Sequence, residues 1–249
     1  MGNGSQIEKS SVLPVHARLI NLINDRSKEH FKEGSCVILV SVGQLAHEGE
    51  KLKATAKIVS ENYASCAVAV CDSLQRHSLQ LGTNYSDEEI YTISNRLGAE
   101  WIDRNQEILE SITIPCEIFR WDDWLNQSDF SECKKIIEEL LMTDEEFRHS
   151  MDLTINDFVE RFQKRQDNPV DEEIVRQASL NYLIEECAII MIMWQKKNYN
   201  YIIYPSDILA VLYQAYLKLV VLHDDNLLQW VRVKLKTKKV SAKQLESVL

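Results

Sequence analysis

The stretch Cys36-Val37-Ile38-Leu39-Val40-Ser41-Val42-Gly43-Gln44 decides how the rest of the chain is read. Its first five residues are apolar and rich in β-branched side chains, the composition of a strand buried on both faces of a sheet. The run stops at Ser41, and Val42-Gly43 supplies a turn. A helix through about Asn62 follows, then a second apolar run, Ser65 to Cys71, ending at Asp72. Ser86-Asp87-Glu88-Glu89 is a capping box, in which the serine accepts from a free backbone N–H and Glu89 reaches back; it opens a helix to about Ser111. Ile114 to Trp121 reads as a third strand, and Ser128 to about Lys164 as two or three helices with acidic faces. Pro169 and Asp171-Glu172-Glu173 start a long helix reaching Lys197. Asn200 to Tyr204 is a fourth strand stopped by Pro205, after which Ser206-Asp207 caps one more helix.

Working outward to the ends, Val15 to Arg26 carries Leu19, Ile20, Leu22 and Ile23 at the spacing of one helix side, which predicts an opening helix. Leu228 to Lys236 alternates and predicts an edge strand. Strands alternating with helices imply right-handed βαβ units. The expectation is an α/β, Rossmann-like parallel sheet flanked by helices, a single catalytic domain over 1–249 with flexible tails at 1–12 and about 237–249. Ligands of such sheets bind beyond the carboxyl ends of the strands. Ser41, Asp72, Trp121 and Tyr204 are therefore the positions to question.

Composition removes several classes. With 45% hydrophobic residues the chain can bury a core, and 28 Lys+Arg against 38 Asp+Glu give a net charge of −10. A general basic coat for nucleic acid is excluded, although a local basic patch is not. The six cysteines contain no C-x-x-C pair, and Cys36, Cys66 and Cys71 sit in strand-like runs, so they read as reduced, buried thiols. Met1-Gly2-Asn3-Gly4-Ser5-Gln6 lacks the apolar core of a signal peptide. The longest apolar run, Cys187 to Trp194, is far short of the ~20 residues a membrane helix needs. A soluble, cytoplasmic protein is expected. No G-x-x-x-x-G-K-[ST] loop and no G-x-G-x-x-G after the first strand is present, and the six histidines show no ligand spacing. Metal catalysis is not expected, and the usual nucleotide cradles are missing.

Three features carry chemistry. Ser41 stands where the first strand ends, near the free N–H groups of a following helix start, which suits a nucleophile needing oxyanion donors. A turn-forming serine is the alternative, and Leu39-Val40-Ser41-Val42-Gly43 lacks the first glycine of a hydrolase elbow. Tyr182 and Glu186 are four apart in the long helix and share a face, just before the all-apolar Ala188 to Met193. A phenol and a carboxylate together would hold a cationic amine; a solvated Glu185-Glu186 corner is the competing reading. Tyr204-Pro205 ends the fourth strand at the same edge of the sheet.

Taken together, Val37-Ile38-Leu39-Val40-Ser41-Val42-Gly43-Gln44, Leu180-Asn181-Tyr182-Leu183-Ile184-Glu185-Glu186 and Tyr204-Pro205 resemble the cyclodipeptide synthases over essentially the whole chain. Gln44 with Tyr204-Pro205 resembles the subgroup defined by a Tyr-Pro pair at that strand end. The resemblance implies a fold similar to the catalytic domain of class I tyrosyl- and tryptophanyl-tRNA synthetases. It also implies two aminoacyl-tRNAs as substrates, and neither a His-x-Gly-His nor a Lys-Met-Ser-Lys-Ser run is present for amino-acid activation. By the resemblance, Ser41 carries first an aminoacyl and then a dipeptidyl group, and neither metal nor organic cofactor is needed. Tyr182 and Glu186 bind the α-amino group, with Glu186 a candidate proton acceptor, and Tyr204 orients or relays a proton. Gly43 and Gln44 follow the nucleophile at the substrate. Val37, Leu39, Ala69, Cys71 and Ile189 fall where the first side-chain pocket is expected, or are plain core; Leu39 replaces a small glycine found in many members.

The helix 86–111 corresponds to the family's tRNA stripe, but offers only Arg96 and Arg104 amid Glu89, Glu100, Asp103 and Glu107. Other cations are Lys51, Lys53 and Lys57, the Arg76-His77 pair, and six positive charges from Arg232 to Lys243, read as a solvated lysine tail. Two other classes compete: a serine hydrolase pairing Ser41 with His47 or His77, and a non-catalytic aminoacyl-tRNA-binding module. A compact domain without a heptad seam is expected to be a monomer.

Overall fold

A computed structural model describes residues 15–21, 28–166, 170–197, 199–220 and 228–237. The chain opens on strand β1 (Val15–Asn21), and β2 (Ser35–Ser41) leads through a turn into helix α1 (Gly49–Asn62) and strand β3 (Ser65–Cys71). A short helix α2 (Arg76–Leu79) precedes the long α3 (Asp87–Glu110), whose capping box between Ser86 and Glu89 is formed as the sequence predicts. Strand β4 (Cys116–Arg120), helices α4 (Asp122–Leu125), α5 (Phe130–Thr143), α6 (Glu145–Gln163) and α7 (Glu172–Ala188) follow. The α7 ladder passes into a π-type turn at Ile189–Met193 and a 3-10 turn at Trp194–Lys197, rather than running as one α-helix to Lys197. Strand β5 (Tyr201–Tyr204), helix α8 (Ala210–Leu219) and strand β6 (Gln229–Thr237) complete the chain. Pro169 and both tails lie outside the described residues.

The sheet order is β1-β6-β5-β2-β3-β4, parallel throughout except for β1 against β6. Three expectations change here. Val15–Asn21 is an antiparallel edge strand, not a helix, because it pairs residue for residue with Thr237–Val231. Consequently β6 is an interior strand, and the edges are β1 and β4. The predicted Ser206-Asp207 cap is also not formed: α8 starts after Leu209, and the Asp207 carboxylate instead takes the Arg232 guanidinium at 2.8 Å.

Strands β2 and β3 are buried on both faces, as their apolar runs require. Val37, Leu39, Ala67, Ala69 and Cys71 face a core built with α5 to α8, while Cys36, Ile38, Val40, Cys66 and Val70 face α1 and α3. From β2 the chain winds one way through β3 and β4 and the other way through β5 and β6. The topological switch point therefore lies between the carboxyl ends of β2 and β5, where such folds open a ligand crevice. Ser41 and Tyr204 are the last residues of those two strands.

The neighbouring edge is closed by an ion pair. Asp72 is fully buried at the end of β3 and bonded by Arg120 from the end of β4, with the Ser73 N–H also donating at 2.8 Å. Burial pushes the Asp72 carboxyl up despite these partners. Helix α3 passes so close that a Cβ at Gly98 would fall inside this carboxylate. Gly98→Ala is expected to destabilise the fold by about 1–3 kcal/mol through forced displacement of Asp72 from Arg120, read as a lowered melting temperature.

Candidate active site

Beyond the carboxyl ends of β2 and β5 lies a cavity of about 410 Å³, walled by α6, α7 and α8. Ser41, Gln44, Tyr182, Glu186 and Tyr204 all line it, so residues separated by up to 163 positions in sequence meet in one place. The Ser41 and Tyr204 hydroxyls are 3.1 Å apart. Burial raises the Tyr204 phenol above its ordinary value, opposed by the bond to Ser41 and reinforced by the nearby Glu186. The Tyr204 ring is held between Trp230 at 5.6 Å and His47 at 5.4 Å. Gly43, at φ +87, makes the left-handed turn that carries the chain away from Ser41, a conformation glycine adopts without strain.

The two adjacent glutamates of α7 have opposite fates, and neither belongs to a solvated corner. Glu185 is buried and fully paired: Arg76 forms a two-pronged ion pair, Trp121 Nε1 donates at 2.8 Å and His77 approaches at 3.4 Å. Burial alone would raise its carboxyl, but the His77 and Arg76 bonds outweigh that and hold it low. Glu186 is 6% exposed, its Oε2 has no hydrogen-bond partner, and burial pushes its carboxyl up to about 8. An unpaired buried carboxyl lining a cavity is a site for a cation or a transferable proton. Tyr182, half-buried one turn earlier, has its phenol raised by burial and by Glu186.

The expected first-pocket residues separate. Leu39 lines the cavity, whereas Val37, Ala69, Cys71 and Ile189 are buried in the core beneath it. Their apolar character is satisfied there by packing, the plain-core alternative for these four positions. The lining missed by sequence reasoning comes from α6 and the turn after it (Phe158, Arg161, Phe162, Arg165), from Leu209 and Leu212 at the start of α8, and from Trp230 of β6. A helix-spaced pair such as Phe158 and Phe162 signals an apolar face, not which site that face covers.

His47 has a role other than that of a base for the Ser41 hydroxyl. Its buried Nδ1 lies 3.0 Å from the Ser41 backbone N, which donates to it, and Trp101 Nε1 bonds its carbonyl at 3.0 Å. Burial lowers the imidazole to about 4, so it stays neutral and accepts. With Nδ1 on the Ser41 backbone and His77 on Glu185, neither histidine is bonded to the Ser41 hydroxyl, which removes the hydrolase pairing. His47→Ala leaves the Ser41 N–H without this acceptor; a loss of about 1–3 kcal/mol in stability is expected, measured by thermal unfolding.

Helix α3 does not present a free basic stripe. Arg104 is engaged by Glu48 through two bonds, at 2.9 and 3.3 Å, and Arg96 lies 3.8 Å from Glu100. Lys53 and Lys57 are likewise paired within α1. The supposed lysine tail is, over Arg232, Lys234 and Lys236, part of strand β6. The described cysteines are all free thiols, Cys116 alone being exposed. No helix among the described residues is long and apolar enough to cross a membrane.

Fold and site define a doubly wound α/β enzyme with a serine hydroxyl and an unpaired carboxyl meeting at the switch point. No protein-family model and no curated protein matches the sequence, but solved structures do. A CDPS from Fluoribacter dumoffii is 31% identical over 91% of this chain and 100% of its own, with a TM-score of 0.85. The cyclodipeptide synthase from Candidatus Glomeribacter gigasporarum bound to Phe-tRNAPhe is 21% identical over 84% and 91%, with a TM-score of 0.71. A Mycobacterium tuberculosis protein, whose structure relates cyclodipeptide synthetases to type I tRNA synthetases, shares the fold at 14% identity over 94% and 99% and a TM-score of 0.61. The chain belongs to the cyclodipeptide synthase family and is accordingly an aminoacyltransferase.

Proposed function

We propose that the chain is a single catalytic domain that joins the aminoacyl groups of two aminoacyl-tRNAs into a 2,5-diketopiperazine by ping-pong transfer through Ser41. The observation that carries this reading is Glu186: a buried carboxyl without a partner on Oε2, in the same cavity as the paired Ser41 and Tyr204 hydroxyls. In the first step Ser41 Oγ attacks the ester carbonyl, the bond to the terminal ribose oxygen breaks, and the serine proton passes by way of Tyr204 to that oxygen. The α-amino group of the aminoacyl-serine lies against Tyr182 and Glu186. It attacks the ester of the second aminoacyl-tRNA, releasing that tRNA and leaving a dipeptidyl-serine. The new terminal amine then attacks the serine ester, closes the six-membered ring and returns the proton to Ser41 Oγ.

Each amine must lose a proton to react. An α-amino group titrates near 7.7–8.0, and the Glu186 carboxyl sits at about 8. A bound ammonium draws that carboxyl down into its anionic form, so Glu186 can first hold the amine and then take its proton. Amine attack on an ester is intrinsically favourable, so positioning and exclusion of water supply most of the acceleration. Gln44 and Tyr204-Pro205 support placement in the Tyr-Pro subgroup. The test is incubation of the purified protein with charged tRNAs and mass spectrometry for diketopiperazines. Cyclic dipeptide dependent on charged tRNA is expected; tRNA-independent ester hydrolysis would overturn the reading, and tight tRNA binding without product would favour the binding module.

A further inference from the structure

Three cysteines stand side by side near the amino end of the sheet. The parallel register sets Cys36 of β2 beside Cys66 of β3, and Cys66 beside Cys116 of β4. In-register neighbours of a parallel sheet point to the same face. Here it is the face covered by α1 and α3, since Cys36 and Cys66 belong to that core. Access rises across the row: Cys36 is 0% exposed and Cys66 4%, whereas Cys116 is open to solvent. The cause is topological. Strand β4 is an edge, paired only with β3, so nothing in the sheet covers its outer side. Cys116 opens on a groove of about 490 Å³ between α3 and β4, lined also by Ile102, Gln106, Leu109 and Ile118. A small polar oxidant reaches the Cys116 sulfur from this groove, and the Cys66 sulfur lies behind it.

The register permits a bond between the two. Neighbouring strands lie ~4.8 Å apart, inside the ~4.4–6.8 Å separation of Cα atoms that a disulfide spans. The thiols already interact. The hydrogen-bonding contact with Cys66 draws the Cys116 thiol below its ordinary value, against burial and the charge of Glu117, and the same contact raises Cys66. An accessible sulfur with added thiolate character, backed by a second thiol, is the arrangement of an oxidisable cysteine and its resolving partner. Cys71, Cys133 and Cys187 lack it: all three are buried in the other core, and burial raises each thiol.

We propose that Cys116 and Cys66 form a reversible oxidation site for a hydroperoxide, with Cys116 the attacking and Cys66 the resolving thiol. With hydrogen peroxide, the Cys116 thiolate attacks one oxygen and the O–O bond breaks. The departing hydroxide takes up the proton that Cys116 lost and leaves as water. Cys116 is thereby oxidised to a sulfenic acid. The Cys66 sulfur then attacks the Cys116 sulfur, the S–O bond breaks, and hydroxide leaves with the Cys66 proton as a second water. A dithiol reverses the change by exchange, becoming a disulfide itself as both cysteines regain their protons. The pair lies five residues along β3 from Cys71, ~17 Å from the catalytic edge at ~3.3 Å per residue. The site is therefore separate from the Ser41 cavity and independent of the function proposed above.

The test treats the fully reduced native protein with limiting hydrogen peroxide, alkylates the remaining thiols after denaturation, and maps peptides by mass spectrometry. The expected product is a monomer lighter by two hydrogens, with one disulfide joining the Cys66 and Cys116 peptides. Cys36, Cys71, Cys133 and Cys187 should all be alkylated, and a dithiol should restore both oxidised thiols. Cys116→Ser, at an exposed position, should melt as the wild type does and lose the disulfide. Cys66→Ala should instead accumulate a sulfenic acid on Cys116, trapped with dimedone; should this buried variant fail to fold, the wild-type map and Cys116→Ser decide alone. A disulfide between Cys66 and Cys36, or a dimer linked through Cys116, overturns the proposal. So does Cys116 carried to sulfinic acid while Cys66 stays free, prior oxidation of another thiol, or recovery of every thiol unreacted.

Discussion

Ser41→Ala is expected to fold normally and to lower cyclic dipeptide formation on the order of 10⁴-fold or more, the loss that follows removal of a covalent nucleophile. The fold should not suffer. The side chain is half-buried, and its one hydroxyl bond is the 3.1 Å contact with Tyr204. The strand is held from elsewhere, by its parallel partners β3 and β5 and by the Ser41 N–H donating to His47. Tyr204→Phe separates relay from packing: the ring keeps its contacts with Trp230 and His47, and only the hydroxyl is lost. A reduction of roughly 10²-fold is expected, the range of general acid–base assistance. Single-turnover rates with a charged tRNA give both numbers. A Ser41→Ala variant retaining more than a tenth of wild-type product formation would contradict the role given to the hydroxyl.

The second large effect concerns Glu186, and here activity and stability move in opposite directions. Glu186→Gln removes the group that accepts the amine proton, so peptide-bond formation should fall by 10²–10⁴-fold. The same change removes a buried ionisable group. The native carboxyl keeps its proton up to about 8, whereas its ordinary value is 4.5. Between these values the native state binds more protons than the unfolded chain. The wild type therefore loses stability as pH rises through that window, by about 1.4 kcal/mol for each pH unit across it. The melting temperature of Glu186→Gln should match the wild type near pH 4.5 and exceed it progressively up to about pH 8. Parallel melting curves for the two proteins from pH 5 to 9 would show that Glu186 is not held as described. A bound α-ammonium group supplies the missing counter-charge, so substrate binding should draw the carboxyl back toward its ordinary range.

The legible parts of the fold are those whose cause is local. Ser35–Ser41 and Ser65–Cys71 are strands because β-branched and small apolar residues run unbroken between turn signals, and α3 begins where its capping box is written. Val15–Asn21 was misread because Leu19, Ile20, Leu22 and Ile23 fit a helical period. The fact that decides it is a partner more than 200 positions away, at Gln229–Thr237. Ser41, Tyr182, Glu186 and Tyr204 could be picked out from element ends and from a carboxylate entering an apolar helix. Their convergence depends on the switch point between β2 and β5, which no single segment records.

His47 was weighed only as a base, since a histidine whose ring accepts a backbone N–H leaves no pattern of spacing. The ion pair of Arg104 is hidden from the sequence for a related reason: its partner Glu48 lies 56 positions upstream. The cations of β6 looked like a tail because a lysine-rich stretch and an amphipathic strand share the same alternating letters. Pairing with β1 makes the difference.

The most direct measurement is intact-protein mass spectrometry of the wild type quenched after mixing with one charged tRNA, followed by peptide mapping. The account predicts a mass increase of one aminoacyl residue, located on Ser41, absent from Ser41→Ala, and discharged as cyclic dipeptide when the second charged tRNA is added. Cyclic dipeptide formed at full rate with no adduct on Ser41, or with the adduct on another residue, would contradict it.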